Sequence, residues 1–203
     1  MPFVSVEGID GSGKSEQISQ LVERLRGSGK TVIQTKEPDG GHIGREVRGI
    51  MTAENRKLSA VEELLLVSAS RYDHVRNVIQ PAVNAGDWVV SDRFIDSTFA
   101  FQVYGGAPEL DQLFETVTRS VTGGLMPDVT IILDLPEAMA AGRRHGRADL
   151  QSDPSEVVRN FSSIREGLLE VANRFPERCC VIDASRSLAK VADDVWQAIA
   201  PLL

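Results

Sequence analysis

The run GIDGSGKS, Gly8 to Ser15, carries glycine, lysine and serine in the spacing G-x-x-x-x-G-K-[ST], between a β-branched segment and an amphipathic one. That spacing makes a phosphate cradle when it joins a strand to a helix. Its glycines let the backbone N–H groups of Gly8, Ile9, Asp10, Gly11, Ser12 and Gly13 curl around phosphate oxygens at a helix N-terminus, where aligned peptide dipoles favour negative charge. Lys14 reaches the β- and γ-phosphates of a nucleoside triphosphate such as ATP, and the Ser15 hydroxyl is a ligand for Mg²⁺. Asp10 is the odd member of the loop. A carboxylate beside bound phosphates is unfavourable unless a metal, an arginine or a substrate hydroxyl compensates it, so Asp10 is expected to have such a partner.

A phosphate loop serves kinases, switch GTPases and mechanical ATPases alike, and the rest of the chain must separate them. No N-K-x-D guanine signature occurs, and the third strand candidate ends in SDRF instead of the D-x-x-G of a GTPase switch. These features favour a kinase. Transfer between two phosphates gathers several negative charges, so cationic groups must converge from separate segments. Arg48, Arg71 and Arg93 are the candidates. No histidine is assigned as a base: a phosphate monoester has a second pKa of about 6, and its oxygen attacks without help once it is positioned.

Five stretches then bear on the family: GIDGSGK, KEP at Lys36 to Pro38, SR at Ser70 and Arg71, SDRFIDSTFAFQ at Ser91 to Gln102, and DVTIILDLP at Asp128 to Pro136. In order and spacing they resemble the thymidylate kinase family over nearly the whole chain. The resemblance implies an ATP- and Mg²⁺-dependent phosphorylation of dTMP by a P-loop kinase fold. It also implies a homodimer joined through helices beside the sheet, with the segment around Glu62 to Val78 as the candidate seam. Carried onto this sequence, Lys14, Arg93 and Arg147 would be the catalytic cations, and Asp92 would lie near the metal with Ser15. Glu37, Arg48, Val67, Arg71, Ser97, Thr98, Phe101 and Gln102 would line the acceptor pocket. Thr98 would meet the thymine edge, Arg71 the base, and Arg48 and Arg93 the acceptor phosphate, while Asp10 would accept the sugar 3′-hydroxyl.

After LDLP, the stretch AAGRRHGRADLQSDPSE combines Arg143, Arg144 and Arg147 with glycines and a polar tail, as a cationic lid over residues 142–155 would. By resemblance, Arg147 serves transition-state charge and Arg143 packs near adenine. Several positions depart from the family. Gln151 to Pro154 replace its usual D-R-[FIY]-E segment, and Lys36 replaces an arginine, keeping the charge but losing the bidentate fork. Val67 stands where an aromatic ring usually stacks on thymine, which forfeits a contact worth about 1 kcal/mol. Phe101 stands where a tyrosine is common. Two rivals remain open at this stage: a kinase of the same fold with another acceptor, and a nucleotide-binding regulator with little transfer.

These residues need a scaffold. Strand candidates at Phe3–Glu7, Thr31–Lys36, Trp88–Asp92, Val129–Leu135 and Cys179–Ala184 alternate with helical patterns, which predicts an α/β domain: five buried parallel strands with helices on both faces. Ile18, Leu21, Val22 and Leu25, and later Leu188, Val191, Val195 and Ile199, recur at helical spacing as core stripes. Residues 1–203 suit one domain. The net charge of −7 argues against a nucleic-acid polymer as partner. No apolar run reaches bilayer length and the N-terminus has no signal pattern, so a cytoplasmic protein is expected. Cys179 and Cys180 are read as buried strand residues, and His42, His74 and His145 as surface or locally hydrogen-bonded side chains without metal spacing.

Overall fold

The computed structural model describes residues 2–53, 56–145 and 160–203. Five strands, β1 (Phe3–Glu7), β2 (Val32–Lys36), β3 (Trp88–Asp92), β4 (Val129–Asp134) and β5 (Cys179–Asp183), run parallel in the order β2-β3-β1-β4-β5. Parallel neighbours cannot be joined by tight turns, so helices cross between them. These are α1 (Lys14–Gly27), α2 (Gly44–Met51), α3 (Ala60–His74), α4 (Gln80–Ala85), α5 (Ile95–Thr98), α6 (Pro108–Thr122), α7 (Glu137–His145), α8 (Phe161–Arg174) and α9 (Leu188–Ile199).

Alternation along the strands gives each face of the sheet its own core. Phe3 and Val89 pack with Ile79, Ala82, Phe94 and Ile95. Val4, Val6 and Val90 pack instead with Ile18, Leu21, Val22 and Leu25 of α1 and with Val191, Val195 and Ile199 of α9. Burial is less complete than the apolar runs suggest. β2 and β5 are edge strands, and both have exposed or half-buried residues along their length. Cys179 is buried, and burial pushes its thiol up to about 12, but Cys180 on the edge strand is only half-buried. Leu188, the first residue of α9, is exposed, and the buried stripe of that helix begins one turn later at Val191.

Two features of the fold prepare a site. The chain passes from one side of β1 to the other between β3 and β4, and open α/β sheets bind ligands in the crevice beyond the strand ends at such a point. Two helices also widen locally. α3 runs on into a π-helical stretch at Val75–Ile79, and α5 into another at Phe99–Val103. Single π turns often occur at functional sites. α3 itself starts from a capping box, in which the Ser59 hydroxyl accepts the Glu62 N–H and the Glu62 carboxylate accepts the Ser59 N–H at 2.7 Å. Val67 and Arg71, four residues apart in this helix, lie on one inward face.

Candidate active site

Glu7 ends β1 and the phosphate loop begins at Gly8, so the loop hangs from the central strand and feeds directly into α1. Gly13 caps α1 with φ of 94°, a conformation costly for any residue with a Cβ. Among the described residues, none outside the loop's own neighbouring backbone comes within 4 Å of the place a Cβ would take. Lys14 is buried, and its Nζ donates to the carbonyls of Gly8 (2.9 Å) and Ile9 (3.5 Å) while lying 3.7 Å from Asp10 Oδ1. The buried Ser12 hydroxyl has no hydrogen-bond partner among the described residues. Ser15 is exposed in the first turn of α1.

A cavity opens beside the loop. Glu37, Arg48, Val67, Arg71, Arg93, Ser97, Thr98, Phe101 and Gln102 all line it, together with Pro38, Met51 and Phe94. The acceptor residues expected from the sequence are therefore brought together from the end of β2, from α2 and α3, and from the segment after β3. Asp10 reaches the cavity through Arg93, whose Nη2 lies 3.3 Å from Asp10 Oδ1. Of the three kinds of compensating partner that the sequence left open for Asp10, an arginine is the one this contact supplies.

Arg71 is fully buried and held as a fixed fork. Its Nε and Nη2 donate to Glu37 Oε2 at 2.8 and 2.6 Å, and Nη2 also donates to Thr98 Oγ1 at 2.8 Å and to the Phe94 carbonyl at 3.1 Å. Its Nη1 is buried without a partner among the described residues. The other oxygen of Glu37 meets His74 Nδ1 at 3.1 Å, and His74 Nε2 meets the Thr35 hydroxyl at 2.7 Å. His74 is thus a buried brace behind Glu37 of the cavity wall, which its sequence context did not reveal. Val67 packs with Val47 and Met51, giving the cavity an aliphatic wall. Gln102 donates to Glu63 at 3.1 Å, and Arg48, half-exposed, approaches Asp39 at 3.9 Å. Lys36 turns outward to Asp39 at 2.7 Å.

Arg93 has φ of 72°, the left-handed region, and is the only non-glycine residue so placed among those described. Such backbone persists where its surroundings determine it, and it concentrates at ligand clamps. The Arg93 N–H donates to the Val6 carbonyl at 3.0 Å and its carbonyl accepts the Ser91 hydroxyl at 2.7 Å. Its guanidinium donates to Ser97 Oγ at 3.0 Å and lies 5.0 Å from the centre of the Phe101 ring. Phe101 therefore supplies a face for a cation. Next to it Asp92 presents a buried Oδ1 without a partner among the described residues.

Glu7 was not singled out by its sequence context. It is completely buried, accepting the Phe94 N–H at 2.8 Å and the Ser97 hydroxyl at 2.5 Å. Burial and then the charge of Asp96 push its carboxyl up to about 7, against the opposing pull of the Ser97 and Phe94 hydrogen bonds and of Arg93. Asp96 in turn holds Arg178 through two hydrogen bonds of 2.7 Å. On the far side of the loop, Arg143 Nη2 donates to the Ala184 carbonyl at 3.0 Å, which ties α7 to the turn after β5. Arg147 and Gln151 to Pro154 lie outside the described residues.

Residues 6–195 match the sequence model of the family described as thymidylate kinase. This chain belongs to the thymidylate kinase family. It is 40% identical to the thymidylate kinase of Afipia carboxidovorans, over 97% of this chain and 88% of that protein. With the thymidylate kinase of Burkholderia cenocepacia the identity is 38%, over 98% of each. The crystal structure of thymidylate kinase from Ehrlichia chaffeensis superposes with a TM-score of 0.74 at 30% identity, covering 98% of each chain. Membership agrees with the parallel sheet, the phosphate loop and the neighbouring cavity described above.

Proposed function

We propose that this protein transfers the γ-phosphoryl group of ATP to dTMP, giving ADP and dTDP. The observation that carries the reading is the Arg93–Asp10 contact of 3.3 Å, which couples the phosphate loop to the arginine-lined cavity at the carboxyl ends of the strands. Donor and acceptor phosphates bound there would meet between Lys14 and Arg93. Gly8 to Ser15 cradle the ATP phosphates through backbone N–H groups, and Lys14 exchanges the loop carbonyls for phosphate oxygens. Arg93 and Arg48 take the acceptor phosphate. The unpartnered Nη1 of Arg71 is a donor for a base carbonyl, and Thr98 is fixed beside it. Arg143 lies toward the adenine side. Because dTMP already carries most of its second phosphate charge, holding the two phosphates in line and neutralising them does the catalytic work.

The residues fit Mg²⁺. Among the described residues no group of three or more His, Cys, Asp or Glu side chains is placed to hold a metal alone. Mg²⁺ in kinase sites takes one or two protein oxygens with phosphates and water, and the exposed Ser15 hydroxyl and the orphaned Asp92 Oδ1 are suitable groups. When bound, the ion would supply charge to the β- and γ-phosphate oxygens.

The same reading takes residues 1–203 as one catalytic domain working in the cytoplasm, as a pair of copies joined along α3. Val61, Leu65 and Tyr72 support that seam, because they lie exposed on one side of α3 while Val67 and Arg71 face inward. The described residues include no helix long and apolar enough to cross a membrane. The acceptor assignment is tested by ADP release with dTMP, dUMP, dCMP, dGMP, UMP and AMP. We expect dTMP to have the highest kcat/KM, and a better turnover of another monophosphate would overturn it.

A further inference from the structure

Glu7 is completely buried and does not itself line the cavity, yet its carboxylate holds two residues that do, Phe94 and Ser97. A buried carboxylate is costly unless hydrogen-bonded, and here its two oxygens go to two groups that both follow Arg93 in the chain. Oε1 holds the N–H of Phe94, the residue after Arg93, and Oε2 holds the hydroxyl of Ser97. Ser97 Oγ accepts in turn from Arg93 Nη1 at 3.0 Å. The first contact fixes the backbone just after the left-handed turn at Arg93. The second orients the Ser97 lone pairs toward the guanidinium. Arg93 then reaches Asp10 of the loop that begins one residue after Glu7, closing a circuit from β1 through Ser97 and Arg93 to the phosphate loop and back.

We propose that Glu7 is a positioning residue for the acceptor phosphate: through Phe94 and Ser97 it sets the backbone and the guanidinium of Arg93 relative to the phosphate loop. The proposal rests on the reading of Arg93 as the acceptor-phosphate group. Replacing Glu7 by glutamine keeps size and one acceptor for Phe94, but puts an amide N–H against Ser97 Oγ. The Ser97 hydroxyl hydrogen then loses its acceptor and must turn elsewhere, so the Oγ lone pairs are no longer held toward Arg93 Nη1. A role limited to electrostatics would act in the opposite direction, since removing a negative charge near Arg93 would tighten phosphate binding.

The test is calorimetric titration of dTMP and of thymidine, which lacks the phosphate, into the wild type and the Glu7→Gln, Ser97→Ala and Arg93→Ala variants. We expect Arg93→Ala to weaken dTMP by more than tenfold and thymidine by less than twofold, as the Arg93 reading requires. Glu7→Gln and Ser97→Ala should each weaken dTMP by about tenfold, leave thymidine and the KM for ATP within twofold, and combine to less than the product of their separate effects. If Arg93→Ala weakens both ligands equally, the reading of Arg93 fails and the proposal falls with it. If Arg93→Ala separates them but Glu7→Gln leaves dTMP unchanged, binds it more tightly, or weakens thymidine as much, the proposal alone is overturned. Should Glu7→Gln not fold, Ser97→Ala, which keeps the buried carboxylate, decides by the same criteria.

Discussion

Glu7 also sets a dependence on pH that its neighbours do not hide. Its folded-state pKa of about 7 lies above the ordinary value of 4.5, so the folded protein binds this proton more tightly than the unfolded chain does. The stability it contributes is complete below pH 4.5 and is lost as pH rises through 7. Asp96, Arg93 and Arg178 are the charged groups around it, and all three are retained in Glu7→Gln. That variant should therefore gain on the wild type by about 2 kcal/mol between pH 5.5 and 8, read from urea denaturation at fixed protein concentration. A difference independent of pH would sink the assignment. Much of what surrounds the loop and lines the cavity was legible, because the glycine spacing with Lys14 is a local signal and the arginines of SDRF and SR stand within family motifs. Glu7 and His74 were not. Their roles come from partners such as Ser97, 90 positions away from Glu7, and Glu37, 37 positions away from His74, and such pairings leave no local pattern.

The strands were legible because short segments rich in apolar and β-branched residues, set between helical patterns, have few uses except a buried parallel sheet. What the runs could not show was which strands lie at the edges, since this depends on the order β2-β3-β1-β4-β5 and not on any one segment. The π-helical stretches were equally silent, their spacing being so close to that of an α-helix. One of them depends on Gly167 of α8. A Cβ there would lie 2.9 Å from Ala100 Cα and 3.0 Å from Tyr104 Cβ, so α8 rests directly on the Phe99–Val103 backbone. Gly167→Ala gains up to about 1 kcal/mol of helix propensity and incurs about 1–3 kcal/mol of overpacking. We expect a net loss of about 1 kcal/mol in urea denaturation. The KM for dTMP should rise with little change in that for ATP, because the displaced segment carries Phe101 and Gln102 while the phosphate loop is on another strand. A stabilised variant with unchanged dTMP kinetics would contradict this packing.

At the level of the whole molecule, α3 is shared between two tasks. Its inner face carries Arg71 and Val67 into the acceptor cavity, and its outer face leaves Val61, Leu65 and Tyr72 between 43 and 49% exposed. Apolar side chains exposed singly are ordinary, but several along one helix face are a surface suited to a partner. For the pair of copies proposed above, symmetry sets the contact: about a twofold axis, the same helix would meet itself and bury the same residues twice. A charge at its centre would then be buried twice as well, beside its own image. Leu65→Asp should consequently convert a protein that sediments at twice the chain mass into one that sediments as a single chain. Because the outer face braces the helix that positions Arg71, the separated chains should also show a raised KM for dTMP, while the KM for ATP, set by the phosphate loop on β1, stays within about twofold. Sedimentation equilibrium of the wild type and the variant, with kinetics on both, measures the two effects together. A wild type that sediments as one chain, or a variant that remains paired, would exclude α3 as the seam.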